Sequence, residues 1–372
     1  MRIMNSQKYK KKVIALFIPG LNGGGAQRFI INLANSLTDL TDNLIHIVLT
    51  RKDGILQKHL KPEVNIIDLG TKKVSRSIPA IVNYLKITQP MAIISTLNYA
   101  NVVCLVSWII AGKPCKIIVR EANIIRKVKG ESFDRIQSII VLFLMKVLYP
   151  YADKVIAICN DVLKTMLDAG IKIEENAVLI GNPIFIPEIT SDPLAIPWLP
   201  KRTTPFICAA GRLTEQKGFD VLINAFAKIN DKQIHLVILG EGPLRFDLKS
   251  QTYKLGIQER VHLPGFVNNP TEIIRQSRLF VLSSRWEGFV NVLLEALACG
   301  TPVVSTNCPG APKEILKSGS YGHLVPCDDV DALARGIEFS LDKPISTPEQ
   351  RISRAYDFSS DKIAKLYLKH IL

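Results

Sequence analysis

The sequence predicts an α/β protein built from two doubly wound, Rossmann-like domains with parallel sheets. Three observations carry that expectation. Short, wholly apolar runs alternate with amphipathic stretches in both halves of the chain, and a proline-rich break separates the halves. The length of 372 residues also supplies enough apolar material for two interiors.

In the first half, strand-like runs extend from Val13 to Ile18, Leu44 to Thr50, Val64 to Asp68, Ala92 to Ser95, Lys116 to Arg120 and Lys154 to Ile158. Apolar residues at helical spacing lie between them, most clearly from Ala26 to Leu37 and from Phe133 to Leu148. The second half repeats the pattern, with strands near Phe206 to Ala210, Ile234 to Leu239, Val261 to Leu263, Leu279 to Leu282 and Val303 to Ser305, and a helix from Phe219 to Ile229. Six prolines between Pro183 and Pro205 interrupt any regular structure. The expected organisation is a first domain over 1–185, a linker over 186–204, a second domain over 205–345 and a helical segment over 346–372 that packs back across the linker. Sheets of this kind bind ligands outside the carboxyl ends of their strands, so the ligand is expected in a cleft between the domains.

Composition narrows the class. With 47% hydrophobic and 22% charged residues the chain is globular. Seven cysteines, an odd number with no CxxC pair, argue against structural disulfides and zinc and for a reducing compartment. Lys10 to Lys12 ahead of an apolar run imitates a secretory signal, but Pro19 and Gly20 end that run after six residues, and a first strand fits better. The apolar stretches from Val102 to Gly112 and from Ile136 to Tyr149 fall short of the roughly 18 to 20 residues that cross a bilayer. The location predicted is cytoplasmic, peripheral on the inner face of the membrane.

The net charge of +14 is unevenly distributed: up to Pro183 there are 25 Lys and Arg against 13 Asp and Glu, and beyond it 22 against 20. Lys8 to Lys12, Lys72, Lys73 and Arg76, and Arg126, Lys127 and Lys129 carry much of the excess. Such a half either is simply solubilised by its charge or faces an anionic membrane surface. Nucleic acid is disfavoured, because no basic platform is interleaved with aromatic residues.

Three segments carry chemistry. The first, Pro19 to Arg28, is a glycine-rich turn between the first strand and first helix. There Gly24 and Gly25 allow close backbone approach at a helix N-terminus, though a plain tight turn would look the same. In the second, Gly211-Arg212-Leu213-Thr214-Glu215-Gln216-Lys217-Gly218 leaves the first strand of the second half with two cations suited to phosphate oxygens. After a later strand, Gly240-Glu241-Gly242-Pro243 either approaches a nucleobase or merely reverses the chain. The third is the run from Ser284 to Gly300. Glu287 precedes a helix expected from Val292 to Cys299, Glu295 falls in its first turn, and the amides near Phe289, Val290, Asn291 and Val292 form an anion-binding helix start. By themselves the two carboxylates also fit a loop acid and a helix-dipole acid.

Taken together, these segments resemble the retaining glycosyltransferases of family 4. The resemblance rests on Gly211-Arg212 with Lys217-Gly218, Gly240 to Pro243, Glu287 and Glu295, Gly300-Thr301-Pro302-Val303-Val304, and the glycine-rich turn, in an order that spans nearly the whole chain. It implies a GT-B fold and a nucleotide-sugar donor, UDP-linked by analogy. Arg212 and Lys217 would stabilise the leaving diphosphate, Glu287 would contact the donor sugar and Glu295 would hold the ribose. Gly211, Glu241, Phe289 and the amides of Val290 to Val292 would line the donor site, Gly24 and Gly25 would approach from the other domain, and closure would assemble the site. Arg120 and Asn123 replace the histidine common in the family and resemble a branch acting on lipid-linked oligosaccharides and surface polysaccharides. They are the acceptor-side candidates, with a lipid-linked glycan as acceptor.

Preorganised cations can stabilise a departing diphosphate, so no metal or other cofactor is expected. Asp328, Asp329 and Asp331 read as a helix cap rather than a metal motif. The helix from Phe133 to Leu148 is either core or a membrane-facing element. Two rival functions share this architecture: a nucleotide-sugar epimerase, for which no acid and base set stands out, and a noncatalytic sugar-nucleotide-binding subunit.

Overall fold

The computed structural model describes residues 11–22, 24–52, 54–125, 133–184, 196–199, 201, 203–267 and 269–372. Most of the proline-rich segment, and Lys8, Lys10, Arg126, Lys127 and Lys129 of the basic clusters, lie outside them. Two compact units emerge. One comprises the chain up to Ile158, Val162–Pro183 and Ser360–Leu372, and the other Cys159–Asp161 with Ile184–Ser359.

In the first unit the order is β1 (Val13–Ile18), α1 (Gly25–Leu40), β2 (Leu44–Leu49), β3 (Asn65–Asp68), α2 (Ile78–Thr88), β4 (Ala92–Thr96), α3 (Asn98–Ile110), β5 (Lys116–Glu121), α4 (Phe133–Leu148), β6 (Lys154–Ala157), α5 (Asn160–Asp168) and β7 (Ala177–Leu179). Its sheet runs β3-β2-β1-β4-β5-β6-β7, with every neighbouring pair parallel. β1 lies at the centre, Ile14 pairing with Ile45 on one side and Ala92 on the other. Covered on both faces, its residues Ile14 to Ile18 are fully buried, which is why the strand reads as an unbroken apolar run.

The second unit contains β8 (Phe206–Ala210), α6 (Phe219–Lys228), β9 (His235–Leu239), α7 (Arg245–Lys254), β10 (Val261–Gly265), α8 (Pro270–Gln276), β11 (Leu279–Leu282), α9 (Asn291–Ala298), β12 (Val303–Thr306), α10 (Pro312–Ile315), β13 (His323–Val325), α11 (Val330–Asp342) and α12 (Pro348–Tyr356). Its parallel sheet runs β10-β9-β8-β11-β12-β13. Ile207, Phe226, Ile238, Val281 and Ile337 belong to one buried cluster that joins the sheet to α6 and α11.

Two strands escape the sequence reading. β7 and β13 have three residues each at sheet edges and are partly exposed, so the apolar stretches that mark them are too short to distinguish a strand from a loop. The terminal segment also divides instead of acting as one piece. A capping box between Thr347 and Gln350 starts α12, which stays with the second unit. By contrast, α13 (Ser360–Ile371) belongs to the first unit, where Tyr367 lies 5.6 Å from the Phe29 ring of α1.

Candidate active site

The carboxyl edge of the second sheet gathers the predicted donor residues. β8 ends at Ala210, and the chain continues through Gly211 and Arg212 into a single 3-10 turn, Glu215–Lys217, before α6. Gly218 closes that turn at φ +60°, and a Cβ there would stand 2.1 Å from the Ser283 carbonyl oxygen, so the loop can lie against the segment after β11 only with glycine. A Cβ on Gly211 would meet the Lys217 side chain at 3.0 Å. The lysine stem thus crosses a space that the missing side chain leaves.

That stem delivers the Lys217 ammonium to Glu287. Nζ and Oε1 are 2.6 Å apart, with side chains 17% and 7% exposed. The same carboxylate oxygen accepts the Ser284 hydroxyl at 2.5 Å, while Oε2 is 3.5 Å from Gln216 Nε2. Gln216 Nε2 also donates to the Trp286 carbonyl at 2.9 Å, and Ser283 Oγ donates to the Lys217 carbonyl at 2.8 Å. Backbone hydrogen bonding from Glu287 N to the Pro309 carbonyl secures the other side of the segment. Side-chain and main-chain bonds therefore fix both partners of one ion pair. Lysine has three donors, so holding Glu287 does not exhaust its ammonium.

Arg212 is exposed at the start of the same loop, and its guanidinium pairs with none of the described residues. Glu241 is also exposed, but it forms an ion pair with Arg245 of α7 at 2.8 Å, so its carboxylate primarily ties the turn after β9 to a helix. α9 starts at Asn291, one residue before the sequence reading. Glu295 therefore lies in the second turn, not the first, because the helix takes Val290 as its N-cap. Val290 is buried and its carbonyl accepts the Leu293 amide at 3.2 Å. The amides of Asn291 and Val292 in the opening turn have no carbonyl within the helix to bond, by helix geometry. Phe289 rests edge-on against Phe358 at 5.7 Å. Asp329 caps α11 by accepting the Ala332 amide at 2.8 Å.

The first-unit candidates are described within that unit. Gly24, at φ +125°, is the N-cap of α1, which opens at Gly25. Asn123 is exposed. Arg120, in contrast, is fully buried, where its guanidinium stacks 3.8 Å from the Phe29 ring centroid and bonds Thr96 Oγ1 at 2.9 Å and Asn182 Oδ1. Its side chain lies in the interior of the unit, which sequence spacing at a strand end does not reveal. Beside it Glu121 accepts the Tyr149 hydroxyl and the amides of Ala122 and Asn123. Burial pushes the Glu121 carboxyl up to about 7, against the lowering influence of these bonds and of Arg120.

Residues 196–358 match the family model of glycosyl transferases group 1. They form a group 1 glycosyltransferase domain. Over almost its whole length this glycosyltransferase is similar to two enzymes of Campylobacter jejuni. One is N-acetylgalactosamine-N,N'-diacetylbacillosaminyl-diphospho-undecaprenol 4-alpha-N-acetylgalactosaminyltransferase, 28% identical, covering 96% of this chain and 99% of the relative. The other, an alpha-1,4-N-acetyl-D-galactosaminyltransferase acting on GalNAc-alpha-(1->4)-GalNAc-alpha-(1->3)-diNAcBac-PP-undecaprenol, is also 28% identical and covers 96% and 98%. Among solved structures, HepE of Anabaena in complex with UDP-glucose superposes with a TM-score of 0.77 at 19% identity, covering 96% of this chain and 98% of the other. Apo WaaB, a lipopolysaccharide outer core galactosyltransferase, gives 0.72 at 19% identity, covering 96% and 99%. These neighbours share the GT-B fold, and the two sheets of this glycosyltransferase are its two Rossmann-like domains.

Ser284 and Gln216 are the site residues that sequence reasoning missed. Both stand beside predicted residues, but a serine or glutamine in a polar loop carries no signal until the fold brings it to a carboxylate.

Proposed function

We propose that this glycosyltransferase moves a hexose or N-acetylhexosamine from a UDP-sugar to a lipid-linked glycan, with retention of anomeric configuration and without a metal, in the assembly of surface polysaccharide or oligosaccharide. The observation that carries the reading is the Lys217–Glu287 pair, with Arg212 exposed on the same loop. As the donor's glycosidic bond breaks, negative charge grows on the diphosphate, and Lys217, held by Glu287, together with Arg212 opposes it in the place a divalent ion would otherwise take. The first-turn amides at Asn291 and Val292, after Val290, give further positive potential, while the Gly211 amide is held by the Leu239 carbonyl. Glu287 orients the sugar. Its Oε1 is committed to Lys217 and Ser284, so it serves as a donor-positioning group and not as a nucleophile. Glu295 holds the ribose, and Phe289 and Glu241 border the donor. In a transfer with retention the acceptor hydroxyl attacks from the side the diphosphate leaves, the new C–O bond forming as the donor's glycosidic bond breaks and the hydroxyl proton passing to the departing phosphate.

The acceptor reading is supported by the relatives, whose names specify undecaprenol-diphosphate-linked substrates. A membrane-facing element supports it further. Ile136, Ile139, Ile140, Phe143 and Val147 form one exposed stripe of α4, with Ile136 at 61% and Phe143 at 62%, while Val141, Met145 and Leu148 are buried. The helix thus has a core face and a second apolar face. Exposed Lys72, Lys73 and Arg76 belong to the same unit and favour an anionic leaflet. Among the described residues no helix is long and apolar enough to cross a membrane.

The test is a screen of UDP-sugars with polyprenyl-diphosphate glycans in the presence of EDTA. Acceptor-dependent UDP release and an α-linked product are expected, and Arg212→Ala should lower turnover roughly 100-fold. Formation of an epimer without acceptor, or loss of transfer in EDTA, would overturn the reading.

A further inference from the structure

The reaction proposed above needs Lys217 held within a narrow range of positions, and one side chain outside the predicted set brackets it. Arg285 precedes Glu287 by two residues. Its Nη1 and Nη2 grip Asp220 Oδ1 and Oδ2 at 3.0 and 2.7 Å, Nη1 also donates to the Glu215 carbonyl at 2.7 Å, and Nε donates to Asp328 Oδ1 at 2.7 Å. Four of the five N–H donors of a guanidinium are therefore engaged. The Arg285 amide adds a bond to the Gln216 carbonyl at 2.8 Å.

The arrangement of these partners matters more than their number. Glu215 lies just before Lys217 and Asp220 just after it, so one planar group clamps the chain on both sides of the lysine. Arg285 itself stands on the segment that carries Glu287, and so its reach spans both members of the ion pair. Asp328, its third anchor, has φ +57°, a left-handed conformation that aspartate adopts more readily than most residues with a side chain. An arginine–carboxylate contact at a half-open surface contributes little stability by itself. A rigid fork with four fixed bonds does, however, define geometry.

We infer that Arg285 is a positioning residue of the transfer site, holding the Glu215–Lys217 turn so that the lysine ammonium meets both Glu287 and the leaving diphosphate. The inference rests on the transfer reaction proposed above. It assigns Arg285 no contact with substrate; its effect runs through Lys217.

A double-mutant cycle tests this on the full chain. Arg285→Ala should leave a cooperative thermal transition, reduce kcat about 10- to 100-fold and alter the donor KM much less, since a displaced catalytic group is costly even without lost contacts. In a Lys217→Ala background the same change should reduce kcat by less than about twofold. Arg285→Lys keeps the charge without the planar fork and should resemble the alanine variant. If Arg285→Ala does not fold, Arg285→Lys decides. Amide hydrogen exchange supplies a readout that needs no turnover: residues 215–220 should exchange faster in the variant while β8 and β9 are unchanged. Unchanged exchange in that turn, or a full multiplicative loss on top of Lys217→Ala, overturns the positioning role. Absence of transfer by the unmutated protein from any donor would instead remove the proposed reaction, and the exchange result would still decide whether Arg285 holds the turn.

Discussion

Lys217 and Glu287 neutralise each other at low exposure, so removing one leaves the other with its desolvation cost uncompensated. Lys217→Ala should destabilise the second unit by about 3 kcal/mol, whereas Glu287→Gln, which keeps acceptor and donor atoms for Ser284 and Gln216, should cost less. Urea unfolding of the two variants checks the order, and equal losses would contradict it. Glu121 gives a second prediction of opposite electrostatic character. Its folded pKa, about 7, lies above the usual carboxylate value, so the native state binds the extra proton. Stability linked to Glu121 is therefore full at low pH and declines as pH rises from about 4.5 to 7, on the order of 3 kcal/mol in all. Glu121→Gln should flatten that decline in the first unit. His262 works in the other direction: burial and then His235 lower it to about 4, so its contribution is lost as pH falls from 6.5 toward 4. Positions were legible where motif spacing carries them, as for Arg212 and Lys217 on the loop after β8 and Glu287 ahead of α9. They were illegible where tertiary packing decides, as for Arg120, which ends a strand like a ligand-facing residue yet closes the interior over Phe29.

At the level of elements, unbroken apolar runs gave reliable strands because both faces of each sheet are covered. β1, β8 and β11 follow the bounds read from sequence, while three-residue β7 and β13 at the edges lack enough pattern to be seen. α4 was ambiguous for a physical reason. It is apolar on two faces, and a one-dimensional pattern cannot say that only one is buried. The exposed face sets an element-scale prediction. The protein should float with vesicles containing anionic lipid more than with neutral ones, and Ile140→Asp with Phe143→Asp should weaken that association while leaving thermal stability nearly unchanged, since neither side chain is in the core. Equal flotation on both vesicle types would refute the membrane role of α4.

For the molecule as a whole, the prolines between Pro183 and Pro205 lie near the change from one compact unit to the other, and the final helix returns to the first unit. α13 covers α1 in the first unit through Ile363, Tyr367, Leu368 and Ile371, all buried. At about 1.5 to 3 kcal/mol for each such side chain, its packing is comparable to the entire stability of a domain. Deleting 360–372 should therefore abolish or greatly lower the first-unit transition in calorimetry while sparing the second, and two unchanged transitions would refute this. The placement of α13 also bears on biosynthesis. As the chain leaves the ribosome, the second unit's residues emerge complete while the first still lacks a helix, so the half made earliest is the last able to finish folding. Until then the flank of α1 that Tyr367 covers stays open.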